Sequence, residues 1–429
     1  MKTTIQSVKG TRDYFPREMA VRNFLYATAR KVSETFGYQE WDAPFLETID
    51  LYAARSGEEL VKEQAFVFPD RGGDLITLRP ELTPSLARMI TLRQKQLVYP
   101  VRWWSWGPFW RYERPQKGRT REFFQWNIDL IGVDTPEADA EMVAIAASFI
   151  QEAGLSPEQV NILVNNRKLI EAELGSIGIP VLLNKEVLKL IDRRDRLTAK
   201  DWEGYAAEIG LNNQQIQRLV ELLSDEQLWR KSPELSACFN LLQALGLQAY
   251  VRYAPSIVRG LDYYTGTVFE AWDVKREFRA ILGGGRYDNL VADVGGDSLP
   301  AVGFAMGDLV ISLVLEKFGA LPASLGISPA NVLVTIFDQS TIEDSFKIAA
   351  RLRAAGIKTA VYPEIAKLTK QFKYGDRMGM LLAIILGPDE VSQDKAALKD
   401  LRTGEQTSVS QAQLVEQVRS LIAKTPTAA

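Results

Sequence analysis

The chain is 429 residues long, enough to bury a sizeable core and to form two or three domains. Its 46% apolar and 24% charged residues exclude a disordered or fibrous chain, and a net charge of −3 excludes a wholly basic nucleic-acid coat while leaving room for local basic loops. The absence of any histidine removes imidazole metal ligands, Ser-His-Asp and Cys-His triads and HExxH zinc sites together, so chemistry must rest on carboxylates, guanidinium and ammonium groups, hydroxyls or a metal carried by a nucleotide.

The N-terminus, MKTTIQSVKGTRDYFP, has no apolar leader, and the longest apolar run, Met380 to Leu386, is too short to cross a bilayer. A cytoplasmic protein without membrane contact is expected. Pro16 opens a segment with Met19, Val21, Phe24, Leu25, Val32 and Phe36 at helical spacing, closed by Gly37. From Tyr38 to Ile131 short aromatic and β-branched runs (FVF, LITL, LVYPVRWWSW, FFQWNIDLI) predict a mixed or antiparallel sheet. Thr135-Pro136-Glu137 starts a helix that runs to Ala153, followed by the strand-like NILVNN. Residues 170–247 repeat helical patterns and read as an inserted helical module, within which Cys238 is a buried structural thiol. Sheet texture returns at Tyr250 and continues through VRGLDYYTGTVFEAW and ILGGGRYDNLV. After a linker from Leu321 to Ala330, NVLVTIF, DSFKIAARLRAAG, IKTAVY, a further helix, MLLAIIL and QAQLVEQVRSLI alternate as in a βαβαβ domain.

Three patches carry candidate chemistry. RYERPQKGRTR sets Arg111, Arg114, Lys117, Arg119 and Arg121 around Pro115 and Gly118, between two strand-like runs. Five basic residues in a turn are ordinarily a solvated surface, but the neighbours change the balance. Arg111 and Glu113 alternate and are expected on one face of a strand, as are Gln125 and Asp129 on the returning strand. Such a cleft suits a nucleotide, because guanidinium groups take phosphate bidentately while carboxylates and amides recognise amines or a heterocycle. Neither GxxxxGK[ST] nor a GxGxxG after a strand is present, so a nucleotide would be held by arginines on a sheet. RPELT places Glu81 near a cleft edge, with Thr83 and Pro84 beginning a helix. VRGLDYYTGTVFE gathers Arg259, Asp262, Tyr263, Tyr264 and Glu270. GGGRYD, residues 283–288, reads alone as a turn into a helix, and tyrosine pairs in strands are usually packing residues.

Taken in order, KGTRDYFP, TLRPELT, GPFWRYERPQKGRTREFFQ, VRGLDYYTGTVFE, GGGRYDNL and AVGFAMG resemble the motifs of the histidyl-tRNA synthetases, a class II aminoacyl-tRNA synthetase family, over nearly the whole chain. The resemblance implies an α+β class II catalytic domain over residues 1–325, an antiparallel sheet flanked by helices and interrupted by the 170–247 insertion, then an α/β anticodon-binding domain over 331–429. It further implies a homodimeric histidine–tRNA ligase that uses ATP with Mg²⁺ to make histidyl-adenylate and transfers histidine to the 3′ end of tRNA(His), with no zinc and no bound organic cofactor.

By the same resemblance, Arg111 and Arg259 are the catalytic arginines, and Arg111, Glu113 and Arg119 hold ATP. Glu81, Thr83, Arg111, Gln125, Asp129, Arg259, Tyr263, Tyr264 and Tyr287 bind histidine, and Gln116, Lys117 and Gly118 meet the tRNA acceptor stem. Three departures from the family pattern stand out. The arginine that usually follows GFAMG is missing from Asp308-Leu309-Val310-Ile311, which leaves Arg119 and Arg286 as candidates for the distal phosphates. Asp129 replaces a longer glutamate, and Tyr112 and Phe124 stand where relatives often carry histidine. The alternative is a non-catalytic paralogue such as a regulatory subunit of ATP phosphoribosyltransferase. Val310 favours it; the intact ERPQKGR loop, the two arginines and the C-terminal domain oppose it.

Overall fold

The computed structural model describes residues 5–53, 63–259, 263–323, 325 and 330–423. The chain divides into two compact units, residues 1–13 with 22–321 and residues 14–21 with 322–429.

The larger unit is organised by one sheet. In chain order come helix α1 (Pro16–Thr35), strands β1 (Gln39–Glu40) and β2 (Leu46–Thr48), helix α2 (Ile49–Ala53), strands β3 (Phe66–Pro69) and β4 (Leu75–Leu78), helix α3 (Thr83–Arg93), and strands β5 (Val101–Trp110) and β6 (Glu122–Ile131). Helix α4 (Pro136–Glu152) and strand β7 (Val160–Asn166) precede the helical module α5 (Arg167–Ser176), α6 (Asn184–Asp192), α7 (Ala199–Glu208), α8 (Asn213–Leu222) and α9 (Pro233–Ala244). Strands β8 (Val251–Tyr253), β9 (Thr267–Asp273) and β10 (Leu282–Tyr287), helix α10 (Leu290–Asp293), strand β11 (Ala301–Gly307) and helix α11 (Asp308–Phe318) complete the unit. Eight strands pair in the order β1-β5-β6-β11-β10-β9-β7-β8. The pairs are antiparallel except β1 with β5 and β7 with β8. Strands β2, β4 and β3 form a separate small sheet.

Strand alternation decides which side chains reach which side of the large sheet. On β6, Trp126, Ile128 and Leu130 enter a core shared with Leu25, Ala29 and Val32 of α1 and with Val143, Ala147 and Ile150 of α4. The odd-numbered residues of β5, β6, β10 and β11 face the other way, toward a second core that includes Leu82, Leu86, Tyr264 and Tyr287. Helix α4 is started as its sequence requires: the Thr135 hydroxyl accepts from the Ala138 N–H, with proline in the first turn. The inserted module buries amphipathic faces in the same way, and Cys238 is buried in α9 as expected.

GGGRYD is a strand, not the turn expected from its glycines: β10 pairs on both sides, with β9 and with β11. The small unit contains β12 (Val332–Val334), α12 (Ile342–Ala354), β13 (Thr359–Val361), α13 (Leu368–Arg377), β14 (Leu382–Ile385), α14 (Pro388–Ser392), β15 (Lys395–Asp400), β16 (Gln406–Ser410) and α15 (Leu414–Ala423). Its sheet runs β13-β12-β14-β15-β16. The alternating pattern read from sequence accounts for the first three strands, while the antiparallel pair β15–β16 is an addition to it.

Candidate active site

One cavity of about 840 Å³ lies on the cleft face of the large sheet. Arg111, Glu113, Arg119, Gln125 and Arg259 all line it, so five of the residues singled out in two separate sequence patches meet in one space. Strand β5 ends at Trp110, so Arg111 and Glu113 do not alternate on a strand as expected. They stand in the connection to β6, where the Arg111 N–H donates to the Arg121 carbonyl at 2.9 Å and the Glu113 N–H to that of Arg111 at 2.7 Å. The folded-back backbone aims both side chains into the cavity despite the lost alternation.

Arg111 Nε donates to the Pro80 carbonyl at 2.9 Å, which ties the RPELT segment to the cleft. Burial lowers the pKa of its guanidinium, opposed by the negative fields of Glu81 and Tyr263. Glu81 itself sits just before α3, and Thr83 is the first residue of that helix. Glu113 and Arg119 are ion-paired across the loop, so a nucleotide that uses both must open this pair. Gln116 and Lys117 are exposed at the loop tip, where Gln116 and Arg119 exchange backbone hydrogen bonds of 3.0 and 2.9 Å, and Gly118 reaches the cavity wall.

Arg259 adopts a left-handed backbone conformation, φ 51°, uncommon for a residue with a side chain and costing roughly 1–2 kcal/mol. Its guanidinium is anchored by Glu270 at 2.9 Å and lies 5.7 Å from the Tyr264 ring centre. The space it occupies exists because position 283 is glycine: a Cβ there would overlap the guanidinium. Asp129 has the same relation to Gly303 on the neighbouring strand β11. Asp129 accepts a hydrogen bond from the Tyr287 hydroxyl, and burial raises its pKa to about 7 against the lowering effect of that bond. Tyr263 packs 4.8 Å from Tyr264 and 6.1 Å from Tyr287, ring centre to ring centre. These tyrosines, like Asp129, Glu81 and Thr83, are not among the residues that line the cavity, although Tyr264 lies against the cavity residue Arg259; Tyr263 and Tyr264 stand in the connection before β9 rather than in a strand. Asp262 lies outside the described residues.

Arg286 does not belong to this site. As an even-numbered residue of β10 it points to the opposite face, where it pairs with buried Asp139 at 2.6 Å and donates to the Val133 and Thr135 carbonyls. It therefore cannot take the place of the missing arginine. Val310 forms an apolar part of the cavity wall, while Arg196, Arg276 and Arg279 also line the cavity. Sequence reading passed over these three because α6, its following turn and the β9–β10 connection carry no motif. Asp308 is held by Arg12 of the KGTRDYFP segment at 2.9 Å and accepts from the Phe124 N–H at 3.0 Å. Tyr112 and Phe124 serve as faces for Arg121 and Arg22, at 3.9 and 4.3 Å from the ring centres. No group of three or more carboxylate or thiol side chains suited to a metal occurs among the described residues.

The family model for histidyl-tRNA synthetase matches residues 10–308. The chain belongs to the histidyl-tRNA synthetase family. A second model, for an anticodon binding domain, matches residues 331–421. Among its relatives, this synthetase is similar to the histidine–tRNA ligase of Opitutus terrae, with 36% identity over 97% of this chain and 98% of the relative. It is similar to that of Thermoplasma volcanium at 37% identity over 96% and 97%. The crystal structure of histidyl-tRNA synthetase from Nostoc sp. PCC 7120 superposes with a TM-score of 0.85 at 25% identity, covering 98% of this chain and all of that one. The catalytic domain with its C-terminal domain is thus a class II synthetase fold. No helix among the described residues is long and apolar enough to cross a membrane.

Proposed function

We propose that the chain is a histidine–tRNA ligase that activates L-histidine with Mg-ATP and loads it onto tRNA(His). The observation that carries the reading is the convergence of Arg111, Glu113, Arg119, Gln125 and Arg259 in one cavity, with Tyr264 lying against Arg259. Arg111 and Arg259 stabilise the charge that builds on the α-phosphate as the histidine carboxylate attacks it; pre-positioned cations in a partly dehydrated cleft are effective at this. Glu113 takes the adenine amine and Arg119 a phosphate, each leaving the other to do so. Glu81, Thr83 and Gln125 hold the α-amino end, and Asp129 with Tyr263, Tyr264 and Tyr287 surrounds the imidazole.

The distal phosphates lie toward Arg279, Arg276 and Arg196, which supply positive charge to a cavity whose Val310 supplies none. Magnesium comes with the nucleotide. Gln116, Lys117 and Gly118 meet the acceptor stem, and the C-terminal unit takes the anticodon. A homodimer accords with the exposure of Leu46, Phe68 and Leu75 on the small sheet, at 48%, 40% and 53%. The test is charging of tRNA(His) with labelled histidine: label at the tRNA 3′ end is expected, and a folded protein that charges no tRNA refutes the reading in favour of a regulatory paralogue.

A further inference from the structure

Strand β9 sends Glu270 and Trp272, two residues apart, to the same side of the sheet, and both line the cavity. One carboxylate oxygen of Glu270 accepts from Arg259 Nη1 at 2.9 Å, and the other accepts from the Trp272 indole N–H, also at 2.9 Å. The Trp272 ring in turn carries Arg276, whose guanidinium carbon lies 5.2 Å from the ring centre. Arg259 and Arg276 both line the cavity. One tryptophan thus stands between two arginines assigned to opposite ends of the triphosphate.

The backbone points to the same pair. Among the described residues other than glycine, only Arg259, Arg276 and Asp394 adopt a left-handed conformation, the two arginines at φ 51° and 52°. Such conformations persist where neighbours over-determine them, and they gather at functional sites. For Arg276 the neighbour is Asp273, 1% exposed, whose carbonyl accepts the Arg276 N–H at 2.8 Å. The Asp273 carboxylate fixes the rest of the turn by accepting from the Glu277 and Phe278 N–H groups at 2.9 and 3.0 Å. For Arg259 the neighbour is Glu270. A glutamate carboxylate held at one oxygen turns easily about its last side-chain bond, whose torsional wells are broad. The indole N–H on the second oxygen removes that freedom. Cations that wait for a transition-state charge gain from being held in place beforehand.

We propose that Trp272 is a positioning residue for the activation step: its indole N–H fixes the Glu270 carboxylate that sets Arg259 beside the α-phosphate, while its ring face holds Arg276 toward the distal phosphates. The two contacts use different parts of one side chain, so substitution can separate them. The inference rests on the synthetase reading above and adds to it the residue that joins its two phosphate subsites.

Histidine-dependent ATP–pyrophosphate exchange is measured on the full chain and its variants. Rates are expressed per active molecule, counted from the adenylate burst, so that a folding defect does not imitate the effect. Trp272→Phe keeps an aromatic face but lacks the N–H. Its kcat should fall about 10-fold, as loss of a hydrogen bond to a charged group allows, with KM for ATP within a factor of about two. Trp272→Leu lacks both contacts, and the same fall in kcat should be joined by a rise of about 5-fold in KM for ATP. In a Glu270→Ala background, Trp272→Phe should change kcat by no more than about twofold, because the carboxylate it serves is gone. A parental kcat in Trp272→Phe, losses that multiply fully with Glu270→Ala, or a KM for ATP that moves alike in the two Trp272 variants overturns the inference alone. No histidine-dependent exchange in the unmodified protein overturns the synthetase reading and the inference with it.

Discussion

Asp129→Asn tests the electrostatics of the pocket without changing its shape. Burial raises the carboxyl pKa from 3.8 to about 7 in the folded chain. The folded state therefore holds a proton that the unfolded state has released, and stability falls as pH rises through this window. A difference of roughly three pH units is worth about 4 kcal/mol in total, of which more than half is lost between pH 5 and pH 8. The amide cannot ionise, so Asp129→Asn should not show this loss. Urea unfolding of both proteins at intervals from pH 5 to pH 8, followed by a signal from the larger unit, measures the difference directly. The variant should gain on the parent steadily across the range, while its histidine-dependent pyrophosphate exchange falls because a neutral amide replaces the acceptor. Parallel stability curves for the two proteins would refute the buried, proton-holding carboxyl.

Three further outcomes follow from the packing. Gly283→Ala places a Cβ in the volume of the Arg259 guanidinium and should lower kcat by about 10²-fold by displacing that cation, with little change in far-ultraviolet circular dichroism. Arg279→Ala should raise KM for ATP by about 10-fold or more while leaving KM for histidine within a factor of two or so, a split read by steady-state pyrophosphate exchange. Arg286→Met leaves the buried Asp139 carboxylate without its charge partner and should cost about 3–5 kcal/mol in urea unfolding, yet the protein that remains folded at low temperature should keep its KM for ATP.

Much of the fold was legible because long periodic segments such as α1 and α4 and the paired apolar runs of β5 and β6 carry their own signal. The elements that were misread each answer to tertiary neighbours. The glycines of β10 look like a turn in isolation, but they are the absence of side chains under Arg259, Tyr264 and Phe304. The β15–β16 pair carries no strict alternation to announce it: KAALKD buries three consecutive residues and QTSVS is mostly polar. For the candidate site, the ordered motifs singled out Arg111, the tyrosines and Asp129, of which Arg111 lines the cavity. Arg286 was misplaced because its motif was read as a unit, although strand alternation sends Arg286 and Tyr287 to opposite faces. Arg276 and Arg279 carry no such signal: only the folding of the β9–β10 connection over the cavity makes them neighbours of Arg119.

The most direct measurement is ATP–pyrophosphate exchange with each of the twenty amino acids in turn, on the full chain and on Arg259→Ala. Exchange that depends on histidine and falls by about 10²- to 10³-fold in the variant is the predicted result. Folded protein that exchanges with no amino acid, or exchange that survives the loss of Arg259, would contradict the assignment of this cavity as the site of histidine activation.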